Sequence, residues 1–200
     1  MVKLNEYKLK TPLSEEDIRR LRVGDIVYLS GVIYTARDAA HKRIIEHLRE
    51  GKALPFNLQG GVIYHCGPVA IKKDSQWVIV AGGPTTSMRM ELYEYEVIEK
   101  LGVRMVIGKG GMGAKTAEAC VKHGAVYVTF TGGVGVLAAQ FIKRVIDVYW
   151  LDLGIPEAIW VLEVMDFGPL IVAIDSFGKN LIDEIVNEAI KRKNRLISIH

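Results

Sequence analysis

The stretch RMVIGKGGMGAKTAEACVKHGAVYVTF, residues 104–130, decides the fold class of this chain. Residues 104–107 predict a short strand, and a glycine-rich turn follows them. Residues 114–123 are predicted to form a helix, and residues 125–130 predict a second strand. A strand, a helix and a strand in this order indicate an α/β layer with some parallel strand pairing.

The segments on both sides of this stretch extend the alternation. On the C-terminal side we predict a helix, two strands and a closing helix, at residues 134–150, 158–164, 170–174 and 181–192. The N-terminal side is richer in strands, which are predicted at residues 25–30, 32–35, 62–66 and 77–80. Its helices are predicted at residues 36–49 and 86–101, after a short helix that follows the capping pattern at 11–17. We therefore predict one α/β domain over residues 1–200, with a β-rich N-terminal part followed by alternating strands and helices.

Composition and charge argue against several functional classes. The chain has 200 residues, of which 50% are hydrophobic, and a net charge of +3, which is too small to indicate nucleic-acid binding. We interpret the basic cluster at residues 191–195 as a solvated helix end, with a polyanion-binding tail as the less favoured alternative. Residues 1–10 are polar and no apolar run has membrane-spanning length, so we expect a cytoplasmic protein without a signal peptide. Cys66 and Cys120 lie in apolar patterns and are expected to be buried free thiols.

The first candidate site segment is YTARDAAH, residues 34–41. Arg37 and His41 are four positions apart and share one helix face. A guanidinium offers two parallel donors to a carboxylate, so Arg37 is a candidate ligand for an acidic substrate. The alternative is a surface arginine beside Asp38 at the start of a helix, and this segment alone favours that alternative.

The second candidate segment is GGPTTSMRM, residues 82–90. Its two glycines let the backbone approach a ligand closely, and Thr85, Thr86 and Ser87 open a helix whose free N–H groups and hydroxyls suit an anion. Arg89 follows Thr85 by four positions and lies on the same face. Ordinary capping by a threonine is the alternative. A cap needs neither the glycine pair nor the arginine, so the segment favours ligand binding.

The third candidate segment is IGKGGMG, residues 107–113, in which Lys109 adds a positive charge to a turn rich in N–H donors. It matches the spacing of a dinucleotide-binding loop, G-x-G-x-x-G. That loop also requires an acidic residue about twenty positions later, but residues 126–131 contain no carboxylate. A phosphate-binding Walker loop also fails, because Ala114 stands before Lys115 where glycine is required. A nucleotide- or phosphate-binding domain therefore remains a weak alternative.

Other polar residues are less informative. His65 and Cys66 are adjacent in a predicted strand and so face opposite sides, and no further ligand is spaced to complete a metal site. We therefore predict no metal ligands in this chain. Four carboxylates lie at predicted strand ends and either line a cleft or cap loops: Glu157, Glu163, Asp166 and Asp175.

The three candidate segments together resemble a known family. ARDAAH at 36–41, GPTTSMRM at 83–90 and IGKG at 107–110 are similar to the β subunit of class I fumarases, and YHCGP at 64–68 and EAIW at 157–160 fit as well. This is the iron–sulfur hydro-lyase family that also includes L-tartrate dehydratase. The resemblance extends over residues 13–178, which is nearly the whole chain.

The resemblance implies a fold of the swivelling β/β/α kind and a hydro-lyase reaction. The implied reaction is the reversible hydration of fumarate to (S)-malate in the tricarboxylic acid cycle, with dehydration of L-tartrate as the alternative. In this family the α subunit or N-terminal domain holds a [4Fe-4S] cluster through three cysteines. This chain has two cysteines, so the cofactor is expected in a partner α subunit and not in this chain.

The resemblance also implies roles for individual residues. Arg37, Arg89 and Lys109 match the groups that hold the substrate carboxylates, and Thr85 matches the proposed catalytic base. A threonine hydroxyl is a poor base near neutral pH, so it would need activation by a neighbouring group.

The remaining implied roles are supporting ones. Thr86 and Ser87 are expected beside the bound dicarboxylate, and Asp38 and His41 are expected to orient Arg37. The expected partners are the cluster-bearing α subunit and a small dicarboxylate, without nucleic acid or membrane. Doubling of such a heterodimer about a two-fold axis is consistent with the general prevalence of that symmetry.

Overall fold

A computed structural model of the chain describes residues 5–197. The six α-helices of this range are α1 (Glu15–Arg19), α2 (Asp38–Arg49), α3 (Glu91–Leu101), α4 (Ala114–His123), α5 (Gly135–Gln140) and α6 (Leu181–Ile197). Its nine strands are β1 (Glu6–Lys10), β2 (Ile26–Thr35), β3 (Val62–Tyr64), β4 (Val69–Lys73), β5 (Gln76–Ala81), β6 (Met105–Gly108), β7 (Val126–Thr129), β8 (Ile142–Tyr149) and β9 (Ile159–Ile174). Between residues 5 and 197 no helix is both long and apolar enough to cross a membrane.

Seven strands form one mixed sheet in the order β1-β2-β3-β6-β7-β9-β8, and β4 pairs with β5 in a separate hairpin. The neighbours from β1 to β7 are parallel, whereas β9 is antiparallel to β2, β7 and β8. Because β9 pairs with both β2 and β7, the strands β2, β3, β6, β7 and β9 close into a ring. The predicted α/β class is confirmed.

The parallel strands divide their side chains between two apolar cores, because successive residues of a strand point to opposite faces. One face of β3, β6 and β7 packs inside the ring against β2 and β9, through Val62, Tyr64, Met105, Ile107, Val126 and Val128. The other face packs against helices α2, α3 and α4, through Ile63, Val106 and Tyr127. Helices thus cover one side of the parallel strands and β-structure covers the other, which gives a layered β/β/α arrangement.

Most of the predicted helices are confirmed. Helix α4 has the predicted bounds, α2 and α3 lie within the predicted ranges, and α6 continues beyond residue 192 to Ile197. The capping pattern before α1 is also observed, since the Ser14 hydroxyl accepts from the N–H of Asp17 at 3.1 Å and the Asp17 carboxylate accepts from the N–H of Ser14 at 3.0 Å.

The predicted helix at 134–150 is wrong beyond its first turns. Only Gly135–Gln140 is helical, and Ile142–Tyr149 forms the edge strand β8. The partly buried residues of β8 recur every three positions, at Ile142, Val145 and Val148, which imitates a helical period. Two irregularities in the pairing with β9, between Ile142 and Arg144 and between Val145 and Asp147, each add one residue to β8. These β-bulges turn a period of two into a period of three.

The remaining differences concern strands. The predicted strands at 25–30 and 32–35 are one strand, β2, and those at 158–164 and 170–174 are one bent strand, β9. Strands β1 and β4 were not predicted, because their sequences, EYKLK and VAIKK, are rich in lysine. Both lie at edges, where lysine is common and discourages pairing with other chains.

Candidate active site

The candidate residues meet at the carboxyl edge of the parallel strands. Arg37 follows β2, His65 follows β3, and Lys109 follows β6. These strands are neighbours in the parallel register Thr35 to Tyr64 and Tyr64 to Ile107. Parallel strands end at the same edge of a sheet, and ligands of α/β proteins commonly bind there.

The segment that carries Thr85 lies across the ends of β3 and β6. The N–H of Thr85 donates to the carbonyl of His65 at 2.7 Å, and the N–H of Ser87 donates to the carbonyl of Lys109 at 3.1 Å. The N–H of Lys109 donates to the carbonyl of Thr85 at 3.3 Å. The prediction of free N–H groups in this segment is therefore wrong for Thr85 and Ser87, because both are used in strand-like pairing. Side chains, not these two amides, are left to contact a ligand.

Arg37 lies over Gly67 and is paired with Glu157. Its Nε is 3.2 Å from Glu157 Oε1, and a Cβ at Gly67 would lie 2.5 Å from Arg37 Nη1. Glu157 also accepts from the N–H of Ala39 at 3.0 Å, in the first turn of α2. Of the strand-end carboxylates left open by the sequence, Glu157 is the one that lines this edge.

Arg89 is held by Asp38 in a two-point ion pair. Arg89 Nη2 is 2.7 Å from Asp38 Oδ2, and Arg89 Nε donates to Asp38 Oδ1 at 2.9 Å. Asp38 Oδ2 is 3.9 Å from Arg37 Nε. Asp38 therefore contacts both arginines, and its closer partner is Arg89 rather than Arg37. The side chain of Arg89 is 49% exposed, so its outer face is open to a ligand.

Lys109 supplies a third cation at this edge. It is half-buried, and no carboxylate within residues 5–197 forms an ion pair with it. Thr86 belongs to the same segment as Arg89, and its backbone forms an isolated parallel β-bridge with Lys109. Three cations thus lie on three converging segments, and two carboxylates lie beside them, Asp38 on the first segment and Glu157 before β9. The net charge of these five groups is positive.

A buried polar network lies beneath these segments. Glu94 Oε2 is 2.9 Å from His65 Nε2 and 3.3 Å from His41 Nε2, and all three side chains are fully buried. His65 Nδ1 is 3.0 Å from Ser87 Oγ, and His41 Nδ1 is 2.8 Å from the carbonyl oxygen of Arg37. The prediction that the Ser87 hydroxyl is available to an anion is wrong, because Ser87 is buried and its hydroxyl contacts His65.

Burial and charge act against each other on the ionisable groups of this network. Burial alone would raise the pKa of Glu94, but the two histidines hold it well below its usual range. Burial alone would lower the pKa of His41, but its contacts with Glu94 raise it. Burial lowers the pKa of His65, and the interaction with Glu94 does not compensate. These effects favour an ionised Glu94, and they favour the charged form at His41 rather than at His65.

Sequence reasoning missed Glu94, although a signal was present. Glu94 occupies the buried face of α3 together with Val97 and Ile98, which follow it by three and four positions. A carboxylate on an apolar helix stripe requires a buried partner. That pattern predicts a polar contact, but it does not identify the histidines that provide it.

Gly108 makes room for the network. A Cβ at Gly108 would lie 1.8 Å from Ser87 Oγ and 3.3 Å from His65 Nδ1. We expect Gly108→Ala to destabilise the chain by about 1–3 kcal/mol, as overpacking does in well-packed interiors. Urea unfolding of the isolated chain measures this.

Gly132→Ala is the matched control for this substitution. A Cβ at Gly132 would make one ordinary contact, at 3.5 Å from Lys109 Cδ, so a change of at most about 1 kcal/mol is expected. Equal unfolding midpoints for the two variants would show that Gly108 is not needed for close packing.

The glycine-rich turn does not leave an open phosphate site at the start of α4. The Glu91 carboxylate accepts from the N–H of Gly113 at 2.7 Å and from the Thr116 hydroxyl at 2.6 Å. It also accepts from the N–H groups of Lys115 and Thr116, at 3.1 Å and 3.3 Å. An anion from this chain thus occupies the helix N-terminus, which disfavours the nucleotide alternative.

Comparison with known proteins agrees with the resemblance. Residues 2–185 match the family described as Fumarase C-terminus. This chain belongs to that family. It is 49% identical to the L(+)-tartrate dehydratase subunit beta of Escherichia coli K12, over 88% of this chain and 86% of that protein. It is 47% identical to a putative L(+)-tartrate dehydratase subunit beta of Methanocaldococcus jannaschii, over 94% and 96% of the two chains.

A longer relative shows the same region within a larger protein. A putative class I fumarate hydratase of Geobacillus stearothermophilus is 44% identical over 92% of this chain but only 35% of its own length. All three relatives carry the names of enzymes that add or remove water. The predicted family and its enzyme class, the hydro-lyases, are therefore confirmed for this member of the Fumarase C-terminus family.

Membership in this family allows a direct test of Arg37. We expect Arg37→Lys to lower kcat/KM of the assembled enzyme by about 10- to 100-fold, since a hydrogen bond to a charged group contributes about 1.5–3 kcal/mol and lysine cannot form the two-point contact. Steady-state kinetics measures this. Arg144→Lys is the control, since Arg144 lies on β8 and forms an exposed ion pair with Glu163 of β9. Wild-type kinetics for Arg37→Lys would exclude a guanidinium clamp at this position.

Proposed function

We propose that this chain is the β subunit of a two-subunit hydro-lyase that interconverts fumarate and (S)-malate, and that it supplies the groups that bind the substrate carboxylates. The observation that carries the proposal is the convergence of Arg37, Arg89 and Lys109 at one sheet edge. A dicarboxylate that enters a closed site requires cationic partners, and arginine binds carboxylates at two points.

Thr85 is proposed as the group that moves the proton. It is half-buried at this edge, and its hydroxyl has no hydrogen-bond partner among the described residues. In the dehydration direction Thr85 accepts the proton from carbon, the electrons of the broken C–H bond form the C=C bond, and the C–OH bond breaks. The departing hydroxide takes up one proton from the site and leaves as water, which balances the proton removed from carbon. Negative charge then develops on the adjacent carboxylate, where the arginines and Lys109 stabilise it. A carboxylate of the partner subunit is proposed to activate the hydroxyl.

The iron–sulfur cluster of the family does not fit this chain. Cys66 and Cys120 are both buried, one after β3 and the other within α4, and burial raises the pKa of both thiols. Two protonated thiols in separate elements do not form the three-cysteine set of the family. We therefore place the cluster in the α subunit, and the proposed complex is a heterodimer that doubles about a two-fold axis.

L-Tartrate is the second candidate substrate. The relatives of 49% and 47% identity are named as tartrate dehydratase subunits, whereas the fumarate hydratase relative is 44% identical. Malate and tartrate share two carboxylates and differ by one hydroxyl, so the same three cations serve either acid.

An anaerobic assay of the purified chain tests the proposal, with and without the cluster-bearing subunit from the same source. We expect no turnover by the chain alone, and turnover of fumarate or L-tartrate by the complex. The substrate with the larger kcat/KM is the natural candidate. Turnover by the chain alone, or none by a complex with an intact cluster, would overturn the proposal. The nucleotide alternative predicts tight binding in a fluorescence titration with NADH, whereas we expect none because Glu91 occupies the helix N-terminus.

A further inference from the structure

Glu94 is a buried carboxylate without a role in the proposed reaction. It lies on α3, behind the edge that carries the candidate substrate-binding residues, and its side chain is fully buried. A buried carboxylate is costly unless charges and hydrogen bonds compensate for its lost hydration. Its partners are two histidines, His41 and His65, each of which leads to a different substrate-binding segment.

On one side, Glu94 is linked to Arg37. Glu94 Oε2 is 3.3 Å from His41 Nε2, and His41 Nδ1 is 2.8 Å from the carbonyl oxygen of Arg37. A carbonyl only accepts, so Nδ1 of His41 carries a proton and donates it. Nε2 then faces a carboxylate, and a protonated Nε2 gives an attractive contact where a lone pair would give a repulsive one.

On the other side, Glu94 is linked to the Thr85 segment. His65 Nε2 donates to Glu94 Oε2 at 2.9 Å, which leaves Nδ1 of a neutral ring to accept from the Ser87 hydroxyl at 3.0 Å. The carbonyl of the same His65 accepts from the N–H of Thr85 at 2.7 Å. The position of His65 therefore determines where Thr85 and Ser87 lie.

We propose that Glu94 is a positioning residue that holds Arg37 and Thr85 at a fixed separation through His41 and His65. This inference rests on the proposed function. Binding and proton transfer require the reacting groups to be placed within about 0.5 Å, and these two groups lie on segments 48 positions apart in the sequence. The pair between Asp38 and Arg89 links the same segments at the surface, and Glu94 links them from the inside.

Glu94→Gln in the assembled enzyme tests the inference. Glutamine keeps the size of the side chain but removes the charge that holds both rings. We expect kcat to fall by about 10- to 100-fold, as small displacements of reacting groups do, while complex formation persists. Glu96→Gln, on the same helix in an exposed pair with Arg49, should leave kcat and KM unchanged. A folded Glu94→Gln complex with kcat and KM within twofold of wild type would overturn the inference.

A double substitution separates positioning from a loss of folding. Glu94→Gln removes the carboxylate that favours the charged form of His41, so burial then favours the neutral ring. Glu94→Gln with His41→Gln removes the titratable ring as well. We expect the double variant to lose no more kcat than Glu94→Gln alone, because residues in one network are not additive. Full additivity of the two single losses would contradict coupling through Glu94.

A measurement that needs no substrate distinguishes failure of this inference from failure of the proposed function. Nitrogen NMR of the histidines in the isolated full-length chain should show His41 with two ring protons and His65 protonated at Nε2 only. A neutral His41, or stoichiometric zinc that wild-type chain retains and Glu94→Gln loses, would overturn the network. The donor atoms of these three residues lie within 4.8 Å of one another, so the metal content must be measured. Absence of turnover by the wild-type complex would instead overturn the proposed function.

Discussion

Replacement of Arg89 with alanine is expected to lower kcat/KM of the assembled enzyme by roughly 10²–10³-fold, which is the usual effect of the loss of one preorganised charge at a reacting centre. Arg89 is already fixed by Asp38, through contacts of 2.7 Å and 2.9 Å. Its guanidinium therefore needs little reorganisation when a carboxylate binds to its open face. Steady-state kinetics with fumarate and with L-tartrate measures the effect.

Arg43→Ala is the matched control for this prediction. Arg43 forms a similar two-point pair with Asp152, at 2.7 Å and 3.0 Å, but it lies farther along α2 and away from the strand ends. Arg43 pairs with Asp152 and packs over the Trp150 ring, and not against the candidate substrate-binding residues, so this variant should keep wild-type kinetics. If Arg89→Ala also stays within a few-fold of wild type, Arg89 does not bind substrate.

Replacement of Thr85 with valine is expected to lower kcat by about 10²–10⁴-fold, the range associated with loss of a general acid or base. Valine has nearly the shape of threonine but no hydroxyl. Thr85→Ser keeps the hydroxyl and should retain most of the activity. The comparison isolates the hydroxyl, because the backbone N–H of residue 85, which donates to the carbonyl of His65, is kept in both variants.

The two Thr85 variants also control for each other. Both should show the melting temperature of the wild-type chain within a few degrees, since neither removes a hydrogen bond of the described structure. Equal rates for serine and valine would exclude a role for the hydroxyl. A low rate for serine with a wild-type rate for valine would indicate that the methyl group, and not the hydroxyl, is what the site requires.

Local patterns predicted the elements whose periods are regular. Helix α4 and strands β6 and β7 follow ordinary helical and strand rules over residues 104–130, and they were predicted correctly. Strand β8 was misread because two β-bulges place its apolar residues three positions apart. A bulge depends on the partner strand β9, so no local pattern in β8 identifies it.

The sequence likewise predicted some features of the candidate site and not others. The residue types and their spacing in three short segments marked Arg37, Thr85, Arg89 and Lys109 as candidates, and the family resemblance then implied their roles, which stay predictions. The partners of these residues were not predictable, because Asp38 with Arg89 and Glu157 with Arg37 are pairs between distant segments. The direction of the Ser87 hydroxyl depends on His65, which lies on a different strand end.

The amino-acid sequence by itself therefore determined the α/β class, the family and the three segments that carry the cationic residues, because each of these depends on patterns of neighbouring residues in the chain. Only the tertiary structure decided which charges are neutralised, which N–H groups are free and what lies beneath the site. Those properties depend on distances between strand ends, and the parallel order β2-β3-β6 sets these distances. Glu94 illustrates this division. Its position on the apolar stripe of α3 indicates that it has a buried polar partner, but only the fold shows that the partners are His41 and His65.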